Sequence, residues 1–233
     1  MIGEAFLRAG QMLIEADREL LEIVARSLQV SSLATVFGAL IGLPLGAWAA
    51  VSRNGFRAMV IVLLNAAMAL PPVVVGLTVY LLLSRSGPLG ALGWLFTPAG
   101  MVLAQTLLIA PIIAALTRQT VEDAHAVYRD WFCSLGLSTG RQVRTLLFEV
   151  RRSLVVVLLA GFGRAIAEVG AVMMVGGNIA GETRVMTTAI ALETAKGELP
   201  LALGLGVILL GVVLDINIAA HLIRGWVEAR HYA

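Results

Sequence analysis

Five long apolar segments dominate the chain, and each is near the roughly 20 residues that a helix needs to cross a bilayer. Short polar stretches separate them. Long apolar runs with so few charges are typical of membrane helices and not of alternating membrane strands. The pattern predicts an all-α integral membrane protein that forms one domain over residues 1–233. The five predicted spans are Ser27–Val51, Ala58–Leu83, Ala99–Thr117, Leu154–Val175 and Leu199–Ile223.

The longest polar interruption, residues 118–153, predicts a helical hairpin outside the hydrocarbon. Apolar residues recur at helical spacing both before and after Gly136, which interrupts the pattern. A polar hairpin between two spans lies at the membrane face, because its charged residues have no place in hydrocarbon. Its one apolar side is then available to another protein. We therefore expect a membrane subunit that is driven by a soluble partner.

Composition narrows the class of protein further. The chain is 59% hydrophobic and 14% charged, against about 25% charged in ordinary soluble domains. A net charge of +2 does not indicate a nucleic-acid partner. The single cysteine, Cys133, excludes an intrachain disulfide, and the three histidines match no metal-ligand spacing, so we expect neither metal nor cofactor. The absence of a GxxxxGK[ST] motif means that an ATPase, if one drives the protein, is a separate polypeptide.

The basic residues predict an orientation in the membrane. Ten arginines lie in the 52–57 turn, the 118–153 hairpin and the C-terminal tail, and five basic residues lie on the opposite side. The positive-inside rule places the ten in the cytoplasm, with the N-terminus outside, the C-terminus inside, and the 84–98 and 176–198 loops facing outward. Residues 1–22 are too acidic for a signal peptide. They either lie on the membrane surface or begin the first span.

Glycine and proline mark two special places in the spans. Gly38, Gly42 and Gly46 form a small-residue face that lets helix backbones approach closely, either within the chain or between two copies. The Pro71-Pro72 pair removes two helical hydrogen bonds and should kink or break the second span. That kink is either purely structural or lines a transport pathway.

An arginine and a glutamate in the fourth predicted span need a partner or water. Arg164 and Glu168 are four residues apart, so they share one face of a continuous helix. An unpaired arginine in hydrocarbon costs about 2.5–3.5 kcal/mol on insertion scales. The two form a structural ion pair, or they border an aqueous route. Asp215, with Asn217 nearby, is an alternative partner for Arg164.

The hairpin resembles the cytoplasmic coupling loop of bacterial ABC importer permeases. In that loop an EAA triplet is followed three residues on by a glycine. Here Asp130, Trp131 and Phe132 stand at the triplet, and Gly136 follows within the sequence LGLS. The resemblance implies that these residues, together with Leu135, couple the membrane subunit to an ATPase.

Three further stretches resemble the molybdate/sulfate branch of these permeases: ALPPVVVGL at 69–77, GPLG at 87–90 and FTPAGMVLAQ at 96–105. The block GRAIAEVGAVMMVGGNIAGETRVMTTAI at 163–190 is similar to the tungstate permeases within that branch. The resemblance covers the chain from about residue 20 onward. It implies the type I importer permease fold and an oxyanion substrate, for which we expect tungstate, with molybdate or sulfate as the alternative.

The resemblance also implies partners and sites. Two copies of the chain would form the channel in the lipid of a prokaryotic inner membrane, two cytoplasmic ATPase subunits would dock beneath, and an extracytoplasmic binding protein would deliver the oxyanion. From the residues themselves, Arg164, Glu168 and the proline pair are the candidates for the pathway, with a purely structural role as the alternative. Asn178, Thr183 and Arg184 would contact the binding protein or line the exit of its site. A secondary transporter is the rival class, but we find no repeated halves, and no catalytic constellation supports an enzyme.

Overall fold

The computed structural model describes residues 18–52 and 54–229, with side chains described as far as Ile218. This part of the chain is built from helices and contains no strand, so the all-α prediction is confirmed. Besides one short 3₁₀ turn, nine α-helices follow in chain order: α1 Arg18–Val51, α2 Phe56–Met68, α3 Pro72–Leu83, α4 Pro98–Ser134, α5 Thr139–Glu149, α6 Arg151–Ile166, α7 Gly170–Gly176, α8 Met186–Lys196 and α9 Leu199–Ala229.

Among these residues, three helices are long and apolar enough to cross a membrane by themselves: α1, α4 and α9. Two bent pairs, α2 with α3 and α6 with α7, bring the number to five if each pair is one span. The five predicted spans therefore match the architecture. The first helix begins at Arg18 rather than Ser27, so residues 18–22 belong to it, and residues 1–17 lie outside the described part.

Helices α1 and α4 pack closely against each other, and glycine makes this possible. A Cβ atom at Gly42 would lie 2.8 Å from the carbonyl oxygen of Ala110. One at Gly46 would lie 2.2 Å from the carbonyl oxygen of Ala114, closer than any side chain could be accommodated. The small-residue face therefore serves packing within the chain, as the first of the two alternatives predicted.

The third predicted span was too short. It was expected to end at Thr117, but α4 continues without interruption for 37 residues to Ser134. The first arm of the polar hairpin is thus the extension of a spanning helix. The reason is that no glycine or proline stands between Thr117 and Gly136, and the apolar positions keep one helical face throughout.

The second and fourth spans are both broken. The axes of α2 and α3 meet at 99°, at the position of the proline pair, so the predicted break is confirmed. The fourth span was predicted to run unbroken from Leu154 to Val175, and this was wrong. Its halves α6 and α7 are bent by 58° across residues 167–169. The 176–198 loop was also incompletely described from sequence, because it contains the helix α8.

The loops separate to two ends of the helix bundle. At one end Phe96, in the loop before α4, donates its backbone N–H to the carbonyl of Val175 (2.9 Å), and Arg26 reaches the carbonyl of Gly181 (3.3 Å). At the other end the start of α2 and the hairpin are joined by a salt bridge between Arg57 and Glu122. The loops predicted to face outward therefore share one end, and two of the arginine-rich segments, the 52–57 turn and the hairpin, share the other.

Candidate functional site: two broken helices and a coupling hairpin

The two broken spans meet where their second halves, α3 and α7, begin. The start of α3 packs on the start of α7, where a Cβ atom at Gly170 would lie 2.8 Å from the side chain of Val73. One turn further along, Gly76 lies so close to Ala171 that a Cβ atom there would be 2.7 Å from the Ala171 Cα. The break at residues 69–71 and the break at residues 167–169 therefore lie side by side, and we call them the paired break.

Prolines make the first half of the paired break. Pro72 is the first residue of α3, a position where its fixed φ and missing N–H cost nothing. Pro71 is extended, with φ −62° and ψ 127°, and its carbonyl accepts the N–H groups of Val74 (3.0 Å) and Val75 (3.2 Å). The new helix is thus started by the prolines themselves, with Pro71 exposed and Pro72 half-buried.

Glu168 organises the second half of the paired break. One carboxylate oxygen accepts the backbone N–H of Ala171 (3.1 Å), and the other accepts Nη1 of Arg164 (2.7 Å). The side chain of Glu168 is 4% exposed, whereas that of Arg164 is 38% exposed. The carboxylate therefore caps the start of α7 and neutralises an arginine whose outer edge stays accessible. The predicted ion pair is confirmed, although Glu168 lies in the break and not on the helix of Arg164.

Asp215 is not the partner of Arg164. It lies on an exposed part of α9, and the Asn217 side chain donates to the carbonyl of Val213, four residues earlier on the same helix (2.8 Å). The sequence left this choice open, because a spacing of four residues and a distant buried carboxylate are both acceptable partners for an arginine.

Two residues that sequence reasoning missed complete the paired break. Gln105 on α4 donates its Nε2 to the carbonyl of Ala165 (2.9 Å), and the Thr187 hydroxyl on α8 donates to the carbonyl of Glu168 (2.8 Å). The carbonyl of Ala165 also accepts the N–H of Glu168 (3.1 Å), so Gln105 is a further donor to it, whereas the carbonyl of Glu168 loses its helical partner where the span is interrupted. Gln105 carried a signal in the sequence, because a large polar side chain inside an apolar span needs a partner. Thr187 carried none.

The hairpin reverses through Gly136. This residue has φ +60°, its N–H bonds the carbonyl of Cys133 (3.2 Å), and the N–H of Leu137 bonds the carbonyl of Phe132 (3.1 Å). These two bonds are the Schellman arrangement that ends a helix on a left-handed residue, and the packing of Leu137 with Phe132 accompanies it. The predicted glycine break is therefore confirmed, with a defined geometry.

The predicted coupling residues divide between two faces of the hairpin. Asp130, Trp131, Leu135 and Gly136 are exposed, and the Trp131 side chain is 67% exposed. Phe132 is buried instead. It packs in one cluster with residues of α1, α5 and its own helix, which are Ala47, Ala50, Val51, Leu146 and Val121. The hairpin is thus held to the end of α1 on one side and presents an aromatic and apolar edge on the other.

A charged cluster fixes the hairpin to the second span. Glu122 on α4 accepts both Arg57 and, at 2.5 Å, Arg118. Arg57 also donates its Nε to the carbonyl of Ala49 at the end of α1 (2.7 Å). One carboxylate therefore holds two arginines together and ties three helices at the arginine-rich end.

At the opposite end the three residues predicted to face outward lie in one turn, between α7 and α8. Thr183 is buried, donates to the carbonyl of Gly176 (2.6 Å) and shapes the turn. Asn178 is half-buried with φ 53°. Arg184 pairs with Glu19 of α1 (3.1 Å). The structure brings the three together but turns Thr183 inward. In the described part of the chain no group of His, Cys, Asp and Glu could hold a metal ion.

Comparison with known proteins gives this arrangement a family. The chain is 38% identical over 216 residues to the tungstate uptake system permease protein of Peptoclostridium acidaminophilum, which covers 93% of this chain and 95% of that protein. It is 40% identical to a probable anion ABC transporter permease protein of Haloferax volcanii, over 85% of this chain and 88% of that protein. It is 34% identical to the tungstate uptake permease of Campylobacter jejuni, over 96% of this chain and 93% of that protein.

The family profile agrees with these relatives and with the geometry. It matches residues 42–230, which include both broken spans and the whole hairpin. The helices are long and apolar enough to cross a membrane, a polar hairpin lies between two of them, and the relatives are transport permeases. The chain belongs to the family of binding-protein-dependent transport system inner membrane components.

Proposed function

We propose that the chain is the membrane permease subunit of an ATP-driven importer for tungstate. The observation that carries the proposal is the similarity to a tungstate uptake permease along nearly the full length of both chains. The structure adds support, because the 163–190 block that resembles tungstate permeases contains Arg164, Glu168 and Thr187 of the paired break. Tungstate and molybdate are tetrahedral dianions of almost equal size, so selection between them would rest mainly on the separate binding protein.

In this proposal the paired break lines the route of the anion. Arg164 offers a partly accessible guanidinium, and its charge is balanced by Glu168 on the buried side. A balanced pair would attract an oxyanion without holding it tightly, which suits a conduction step. Pro71, exposed beside this pair, would form part of the same wall.

The hairpin would contact the ATPase. Trp131 and Leu135 form an exposed apolar edge on a chain segment that is otherwise polar, and such an edge favours burial in a groove of a soluble partner. Asp130 and Gly136 border that edge, while Phe132 holds it to α1. ATP binding would close the ATPase dimer and move the two hairpins toward each other.

Two copies of the chain would enclose the channel, in contact with membrane lipid on the outside. Five spans enclose little space, and apolar side chains such as Leu40, Val62 and Leu210 are more than half exposed on separate helices. Those surfaces require either lipid or a second copy. A single permease copy in the mass of the purified, intact complex would contradict the homodimer.

The first prediction concerns orientation. The arginine-rich end would be cytoplasmic, so exposed Cys133 should react with a membrane-impermeant thiol reagent in inverted vesicles and not in intact cells. The control is Thr194→Cys in a Cys133→Ser background, because Thr194 is exposed at the opposite end and should react in intact cells. The reverse labelling pattern for the two cysteines would contradict the orientation.

The second prediction concerns coupling. Gly136→Val should keep the protein in the membrane but abolish co-purification with the ATPase or transport, because a side chain at φ +60° costs about 1–2 kcal/mol and displaces the hairpin edge. Gly140→Val is the matched control: neither glycine has a neighbour that a Cβ would meet, but only Gly136 has a positive φ. Normal ATP-dependent uptake in the Gly136 variant would refute this role.

The third prediction concerns the ion pair. Arg164→Ala should destabilise the purified protein by about 1–3 kcal/mol, because it leaves the buried carboxylate of Glu168 without its countercharge. The double variant Arg164→Ala/Glu168→Ala should be more stable than that single variant, since no lone charge remains. Thermal unfolding in detergent measures the stability of both variants.

Uptake tests the second role of the pair. If Arg164 guides the anion, the double variant also loses most uptake. Full uptake in the double variant would show that Arg164 is not part of the pathway.

The fourth prediction concerns the substrate. Deletion of the gene should abolish cellular uptake of tungstate at nanomolar supply, and reintroduction of the gene should restore it. Elemental analysis of the cells provides the measurement, with molybdate and sulfate uptake followed in parallel. Unchanged tungstate uptake with lost molybdate or sulfate uptake would assign the permease to that anion instead.

A further inference from the structure

Helix α8 joins the outward end of the bundle to the paired break. Its second residue, Thr187, is 8% exposed and donates its hydroxyl to the carbonyl of Glu168. Its last turn, from Thr194 to Lys196, is exposed. A helix of 11 residues is about 16 Å long, so α8 spans the distance between the buried break and the surface.

The start of α8 is held on both sides. The backbone N–H of Met186 donates to the hydroxyl of Ser27 on α1 (2.8 Å), and that hydroxyl in turn donates to the carbonyl of Ile23 (2.8 Å). On the other side, the Thr187 hydroxyl donates to the carbonyl of Glu168 in the paired break. The two bonds come from neighbouring residues and are both buried, so the beginning of α8 cannot move without changing one of them.

The carbonyl that accepts the Thr187 hydroxyl belongs to Glu168, whose side chain makes further contacts of the break. Glu168 uses its side chain to cap Ala171 and to bind Arg164, and its own carbonyl has lost the helical partner that a continuous helix would supply. Thr187 therefore supplies a hydrogen bond that the interrupted helix does not make, and Gln105 adds a further donor at the carbonyl of Ala165. A shift of α8 would move the Glu168 backbone and, with it, the position of the Arg164 guanidinium.

We propose that Thr187 is a positioning residue through which the outward helix α8 sets the geometry of the Glu168–Arg164 pair. Contact made by a partner on the exposed end of α8 is transmitted to the paired break through this hydrogen bond. The consequence for transport rests on the proposed function. The hydrogen bond and its effect on the paired break do not, because both belong to the isolated chain.

Thiol accessibility of the full-length, detergent-purified protein tests the local effect. Val172 is fully buried just after the break, so Val172→Cys in a Cys133→Ser background reports opening of α7 through its rate of reaction with a maleimide. Adding Thr187→Val should raise that rate about fivefold, the factor by which losing one buried hydrogen bond changes a local opening equilibrium. Thr187→Ser should keep the original rate.

The matched control lies on the same helix. Thr194 is exposed and donates its hydroxyl only to the carbonyl of Ile190, so Thr194→Val should leave the labelling rate unchanged. If Thr187→Val cannot be purified, Thr187→Ala removes the same donor and should have the same effect. An unchanged rate in the Thr187 variant, or an equal rise in the Thr194 variant, overturns the inference.

Cellular uptake of tungstate forms the second arm and separates this inference from the proposed function. Thr187→Val should lower uptake severalfold at normal membrane abundance, and Thr187→Ser should restore it. Faster maleimide labelling in a protein whose wild type carries no tungstate supports the positioning role and overturns the substrate. Unchanged labelling with normal wild-type uptake overturns the positioning role and leaves the proposed function standing.

Discussion

A helix that breaks inside a membrane exposes backbone N–H and C=O groups that have no water to bind, and the architecture of this chain depends on how those groups are satisfied. At the first break proline removes two of the N–H groups outright. At the second break, side chains supply further partners: the carboxylate of Glu168 for an N–H, and Gln105 and Thr187 for two carbonyls. Glu168 is buried, so the protein itself supplies these partners, whereas Pro71 at the first break is exposed and has no N–H to satisfy.

Helix α4 provides the frame for both functional regions. It runs for 37 residues, about 55 Å, without a break, and carries Gln105 near one end and Trp131 near the other. The glycine face of α1 allows the backbones of α1 and α4 to approach closely, so the two longest helices are packed against each other. A movement of the hairpin is therefore a movement of the same helix that holds a carbonyl of the paired break.

The few charges within the bundle are organised by carboxylates. Glu122 joins two arginines at the hairpin, and Glu168 neutralises Arg164 at the break. In both places the acid accepts from more than one donor, and at the break Arg164 is more exposed than the buried Glu168. Pairing the charges in this way lowers the cost of burying them and leaves one edge of the Arg164 guanidinium accessible.

The sequence by itself determined the class of the protein and much of its plan. Apolar length indicated five spans, the Pro71-Pro72 pair marked one break, the glycine at 136 marked the hairpin turn, and a spacing of four residues made Glu168 a candidate partner for Arg164. Each of these signals is local. A missing N–H, a missing Cβ or a spacing of one helical turn acts within a few residues, so it can be recognised before the chain is folded.

Only the tertiary structure decided three features. They are the second break, the burial of Phe132 and the contact of α8 with the paired break. The segment from Ala167 to Val169 contains no helix breaker, and alanine and glutamate favour a helix. The partners that stabilise its break come from Gln105, 60 residues from the carbonyl that it binds, and from Thr187, 19 residues from Glu168. Bonds between residues so far apart depend on how whole helices pack, and no local pattern records them.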